Sequence, residues 1–212
     1  MGGVIEVENV TKTFKEQTVL KQVSMQVGQG TICGLVGTNG SGKTVLLKII
    51  CGFMWPNEGK VVVGGKQIGI DCDFPRDTGI IIEIPVFSPY SSGYGNLKNL
   101  ASIQKKISDE KICEAMEMVG LDPKDKKWVS KYSLGMRQRL GIAQAIMEGQ
   151  NILILDEPMN GLDRQGVEEI RDLLLRMKEQ GKTILLASHY PQDVEILCDK
   201  VYRLERGELM QN

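Results

Sequence analysis

The sequence predicts an α/β protein with a mainly parallel sheet, an antiparallel β edge and an inserted helical lobe. Three observations carry this. Short, nearly unbroken apolar runs (TICGLV at 31–36, NILIL at 151–155, TILLA at 183–187) are what strands buried on both faces require, and segments of helical apolar spacing follow the first two. Alternating or turn-bearing stretches lie toward both ends. Glycine is over-used, 24 in 212 residues or about 11%, against roughly 7% in average proteins, which fits many tight backbone turns.

In chain order, residues 4–10 (VIEVENV) and 23–27 (VSMQV) alternate apolar and polar side chains and read as half-buried strands. Residues 31–36 form the first buried strand, and 43–51 (KTVLLKIIC) the first helix. Val61 to Val63, followed by Gly64 and Gly65, predicts a strand and a tight hairpin turn, and Ile80 to Ile82 another short buried strand. Between 88 and 147, segments such as NLKNLASIQKKI and DEKICEAMEMVGL keep helical spacing and lose strand character, which predicts the inserted lobe. Residues 151–155 return to strand. Residues 164–180 make an amphipathic helix with Val167, Ile170, Leu173, Leu174 and Met177 as its stripe, Asp163 as its cap and Gly181 at its end. A strand at 183–187 and a hairpin at 200–209 around Arg206 and Gly207 complete the chain. The expected organisation is a single domain, 1–212, with a core lobe (1–87 and 148–212) and a helical lobe (88–147).

Composition narrows the function. With 26 Lys+Arg against 27 Asp+Glu, the net charge of -1 gives no bulk attraction to nucleic acid or anionic lipid, so any basic site must be local. The 5 cysteines are odd in number and include no C-x-x-C pair, so they are expected as reduced thiols serving as small core hydrophobes. The opening residues MGGVIEVENV lack the basic and apolar regions of a secretory signal, and Glu6 breaks the myristoylation pattern. The most apolar stretches, 45–55 and 79–87, are too short and too interrupted to cross a bilayer. The expectation is a cytoplasmic chain for which another polypeptide does any membrane crossing.

Residues 37–44 read GTNGSGKT, a full G-x-x-x-x-G-K-S/T between a buried strand and a helix. Gly37, Thr38, Asn39, Gly40, Ser41 and Gly42 let main-chain N–H groups converge on phosphate oxygens, and the helix N-terminus at Lys43, Thr44 and Val45 adds its dipole. Lys43 is placed to bridge β- and γ-phosphates, and the Thr44 hydroxyl to ligate Mg²⁺. The run LILDE (153–157) is an apolar strand ending in two carboxylates. Asp156 suits the Mg²⁺ shell, and Glu157 suits orienting and deprotonating an attacking water.

Residues 132–140 (YSLGMRQRL) resemble the signature segment of ATP-binding cassette (ABC) ATPases. GTNGSGKT, ILILDEP, NGLD (160–163) and the Ser188–His189 pair lie in that family's order over essentially the whole chain. The resemblance implies an ATPase with ATP and Mg²⁺ as ligands, a second ATPase copy sandwiching the nucleotide, and a membrane-spanning permease as partner. It places the chain at the cytoplasmic face of the membrane. It further implies that Ser133 and Gly135 contact the γ-phosphate held by the second copy, that Asp163 communicates across the dimer, and that His189, the only histidine, touches the γ-phosphate as a switch. Phe14 matches the aromatic that stacks on adenine, although a core role is equally open to it. Leu134 and Met136 depart from the signature, where glycine and glutamine are usual.

Glu83 stands where the family places a glutamine that ligates Mg²⁺ and water. Glutamate there is similar to the exporters related to bacitracin-resistance and lantibiotic-immunity ATPases, so the cargo implied is an antibiotic, a peptide or a similar amphiphile. The alternative, a soluble ABC-type ATPase acting on nucleic acid or the ribosome, needs a coiled-coil or zinc-bearing insertion or a second cassette. The stretch between Thr44 and Asn151 has no heptad run, and the sequence carries one cassette.

Overall fold

A computed structural model describes residues 3–211; residues 1, 2 and 212, which the expected domain bounds include, lie outside the described residues. Along the chain run β1 (Ile5–Phe14), β2 (Gln17–Val27), β3 (Ile32–Val36), α1 (Lys43–Ile50), β4 (Glu58–Val63), β5 (Lys66–Gln67) and β6 (Thr78–Ile81). Then come α2 (Gly93–Gln104), α3 (Asp109–Met118), α4 (Leu134–Ile146), β7 (Ile152–Asp156), α5 (Arg164–Glu179), β8 (Thr183–Ser188), α6 (Pro191–Leu197), β9 (Lys200–Glu205) and β10 (Glu208–Gln211).

Two sheets result. The larger has the order β10-β9-β3-β8-β7-β6. Its strands β9, β3, β8, β7 and β6 are parallel, and β10 pairs antiparallel with β9. The smaller, β2-β1-β4-β5, is antiparallel throughout. Between Glu205 and Glu208 the turn places Arg206 and Gly207 at positive φ (50° and 81°), the two-residue geometry whose twist suits a hairpin.

Side-chain alternation along β7 explains why the parallel strands read as apolar runs. Leu153 and Leu155 point into a core shared with Leu97, Met116, Leu140, Leu173 and Leu186, so the inserted helices and α5 cover one face of the large sheet. Ile154 points into a second core with Leu35, Leu46, Leu47, Ile50 and Leu20, where α1 lies between the two sheets. Burial on both faces removes any polar face.

Three expectations needed adjustment. The strands expected at 4–10 and 23–27 are the plain halves of one long hairpin that turns at Lys15, which has φ 52°. Helix α6 was not foreseen. The scattered thiols are not all core: Cys33 and Cys51 are buried, whereas Cys72, Cys113 and Cys198 are half-buried. Burial pushes the Cys33, Cys51 and Cys198 thiols up to about 12. Among the described residues, no helix is long and apolar enough to cross a membrane.

Candidate active site

The parallel strands β3, β6, β7 and β8 all end on one side, and the segments that leave them form the candidate site, as expected of open α/β sheets. The loop after β3 closes on itself. Gly42 takes φ 109°, which a side chain would resist, and from it α1 starts at Lys43. A Cβ on Gly37 would run into the Leu204 carbonyl and the Ser41 hydroxyl, so β9 supports the loop from behind.

Lys43 is only 6% exposed. Its Nζ donates to the Gly37 carbonyl at 2.8 Å and to that of Thr38 at 3.4 Å, and stands 3.9 Å from Glu157 Oε1. The Ser41 Oγ is buried without a hydrogen-bond partner. A buried ammonium satisfied by loop carbonyls and an orphaned hydroxyl are groups that a phosphate would engage.

At the end of β7, Asp156 accepts a hydrogen bond from the Thr44 hydroxyl at 2.7 Å. Burial pushes its carboxyl above the ordinary range and the nearby Glu83 charge adds to this, while the Thr44 hydroxyl and the Lys43 ammonium oppose it. A hydroxyl and a carboxylate in contact are hard oxygen donors. They fit Mg²⁺, which keeps several waters and fills its shell with substrate phosphates rather than with an all-protein cage. The described residues contain no cluster of three or more His, Cys, Asp or Glu suited to a metal.

Glu157 turns the chain with φ 50°, its main-chain N–H donating to the Ala187 carbonyl and its carbonyl accepting from Gln138 Nε2 at 3.3 Å. Glu157 Oε2 faces His189 Nδ1 at 2.8 Å. The His189 main-chain N–H also donates to Glu157 Oε2, at 3.4 Å. The imidazole stacks on Tyr190 with centroids 4.0 Å apart.

A buried network that the sequence did not reveal brackets this histidine. Ser188 Oγ accepts from the Tyr190 N–H at 3.1 Å and donates to Asp193 Oδ2 at 3.0 Å. Asp193, 1% exposed, accepts from Arg171 on α5 at 2.6 and 3.0 Å.

A cavity of about 590 Å³ joins Asn39, Gly40, Gly42, Lys43, Thr44 and Val45 to Glu83, Asp156 and Glu157. Gly37 and Thr38 line a neighbouring one of about 940 Å³ with His189. Ser133, Gly135 and Asp163 are not brought to the glycine loop. They line a third cavity of about 660 Å³, which meets the first at Gly161. There Ser133 Oγ caps α4, accepting from the Met136 N–H at 3.1 Å, and Asp163 caps α5, accepting from that of Gly166 at 2.9 Å. Phe14, at the end of β1, is 42% exposed, which removes its core reading, and its ring lies 5.3 Å from Lys12 Nζ. Glu83 lines the loop cavity, yet its carboxylate is bound to Lys48 at 2.6 Å rather than to Thr44 or Asp156.

Comparison with known proteins agrees with this geometry. The family pattern described as ABC transporter matches residues 20–160. An uncharacterized ABC transporter ATP-binding protein of Bacillus subtilis is 45% identical over 206 residues, covering 97% of this chain and 94% of its own. The bacitracin transport ATP-binding protein of Enterococcus faecalis is 41% identical, covering 100% of this chain and 69% of its own. The lantibiotic transport ATP-binding protein of Streptococcus pyogenes is 34% identical, covering 98% and 89%. In three dimensions, the dimeric post-hydrolysis structure of an ATP-binding cassette bound to ADP and Pi superposes with a TM-score of 0.88 at 23% identity, over 98% of this chain and 97% of that one. With the fold, the glycine loop and relatives along the whole chain in agreement, the chain belongs to the ABC transporter family, as an ATP-binding subunit that hydrolyses ATP to drive transport.

Proposed function

We propose that this ATPase works at the cytoplasmic face of the membrane, bound to a separate permease, and powers export of a bacitracin-like or lantibiotic-like amphiphile. The carrying observation is the Glu157 carboxylate set between the Lys43 ammonium and the His189 imidazole, 3.9 and 2.8 Å away. The proposed cargo class comes from the bacitracin and lantibiotic transport relatives.

In this reading the 37–42 loop and Lys43 hold the β- and γ-phosphates, and Thr44 and Asp156 hold Mg²⁺, with Glu83 able to join them. Bound there, Mg²⁺ would neutralise phosphate charge during transfer. Glu157 orients the attacking water and takes its proton. His189, its Nδ1 facing Glu157, presents Nε2 toward the γ-phosphate side. Phe14 offers its exposed ring to adenine. Ser133, Gly135 and Asp163, held apart from this chain's own loop, serve the nucleotide of a second copy, so hydrolysis requires two chains.

The test uses the host cell. Its own copy is deleted and replaced by wild type or by Glu157→Gln, and growth is measured against bacitracin and a lantibiotic. Resistance restored by wild type and absent with an equally abundant Glu157→Gln protein supports the reading. Full resistance with Glu157→Gln sinks it.

A further inference from the structure

Thr44 and Lys48 are four residues apart on α1, so their side chains rise from the same helix face one turn from each other. Glu83 faces both. It lines the same cavity as Thr44 and Asp156, and its backbone is held at φ 62°, in the left-handed region. Its side chain, in contrast, reaches Lys48 Nζ at 2.6 Å. One residue therefore lines the cavity of the Thr44–Asp156 oxygen pair while its charge is held a helical turn away.

The electrostatics explain why such a hold is useful. A third carboxylate beside Asp156 and Glu157 would meet two like charges, a repulsion that is appreciable at about 5 Å even at an effective dielectric near 20. Lys48 supplies a counter-charge outside that cluster. The side chains of Lys48 and Glu83 are 28% and 63% exposed, and exposed pairs contribute only about 0–1 kcal/mol. The hold is weak enough to be exchanged.

We propose that Lys48 is a positioning residue that parks the Glu83 carboxylate, and that this carboxylate exchanges between Lys48 and a divalent cation bound with nucleotide at Thr44 and Asp156. The inference rests on the cation site proposed above. It assigns a role to a lysine that lies outside the glycine-loop motif.

The experiment titrates the full chain with Mn²⁺ in the presence of a non-hydrolysable ATP analogue and reads free Mn²⁺ by electron paramagnetic resonance. Lys48→Met keeps the aliphatic stem and frees Glu83, so Mn²⁺ should bind about threefold more tightly. Lys48→Arg, which retains the charge, should bind as wild type. Removing a positive charge would by itself raise cation affinity in any background, so the coupling with Glu83 is the deciding quantity. Lys48→Met should therefore gain clearly less in the Glu83→Gln background than in wild type. Unchanged affinity in Lys48→Met, or an equal gain with and without Glu83, overturns the parking role. Asp156→Asn tests the cation site separately, with a loss of about tenfold or more expected. An unchanged value there overturns the site itself, a failure readable apart from the Lys48 comparison.

Discussion

Lys43 brings a nearly buried ammonium to two carbonyls of its own loop. Lys43→Ala should weaken ATP binding tenfold or more, about 1.4 kcal/mol, and equilibrium titration with a fluorescent ATP analogue checks it. Asp156 has a different consequence. Its carboxyl is raised chiefly by burial, so the charged form costs the nucleotide-free protein stability. The cost is full above the folded-state pKa and vanishes below the unfolded-state value. Asp156→Asn should therefore raise the apo melting temperature, by about 2–4 °C for each kcal/mol relieved in a domain of this size. The gain over wild type should shrink as pH falls through the carboxylate range. A lower melting temperature for Asp156→Asn at neutral pH would contradict this.

At the scale of elements, α5 and α6 are joined by Arg171 and Asp193, whose side chains are only 7% and 2% exposed. Removing one partner of a buried pair leaves an uncompensated charge and costs about 3–5 kcal/mol. Arg171→Met should show that loss in urea unfolding, and Arg171→Met with Asp193→Leu should recover a large part of it. Helix α6 also shows where sequence reading stops. It has seven residues, opens with Pro191, and buries Asp193 and Leu197, so no apolar stripe announces it. The first hairpin was half legible for a related reason. Its register shifts after Val7, Val10 and Lys12, and the positive φ of Asn9 and Gln22 resets the period of two. In contrast, the glycine loop, Asp156 and Glu157 were legible because each motif is contiguous and its chemistry is local. Lys48 was not, since its partner lies 35 positions away and its own spacing is that of an ordinary helical lysine.

For the whole molecule, Ser133, Gly135 and Asp163 line a different cavity from the glycine loop, and in the proposed mechanism each chain supplies one half of two sites. Two chains related by a two-fold axis would complete two sites at once. On the proposed role of Glu157 as base, Glu157→Gln keeps the side-chain shape and removes that base, so ATP should persist and hold the pair together. Light scattering should give a monomer for this variant without nucleotide and a dimer with ATP and Mg²⁺. A mass that stays monomeric at high protein concentration would show that closure needs the permease or that Glu157 is not the base.

The thiols offer a ruler for that closure. Cys33, Cys51 and Cys198 have pKa values pushed up to about 12, which leaves almost no nucleophilic thiolate at neutral pH. Cys72 and Cys113 are half-buried, the first in the segment between β5 and β6, the second on α3 in the helical lobe. Alkylation under native conditions should stop at two of the 5 cysteines, counted by intact-protein mass spectrometry. A spin label on each would then span the sheet core and the inserted helices of the wild-type sequence, and their separation, followed through nucleotide binding, would report how far these two parts move relative to each other.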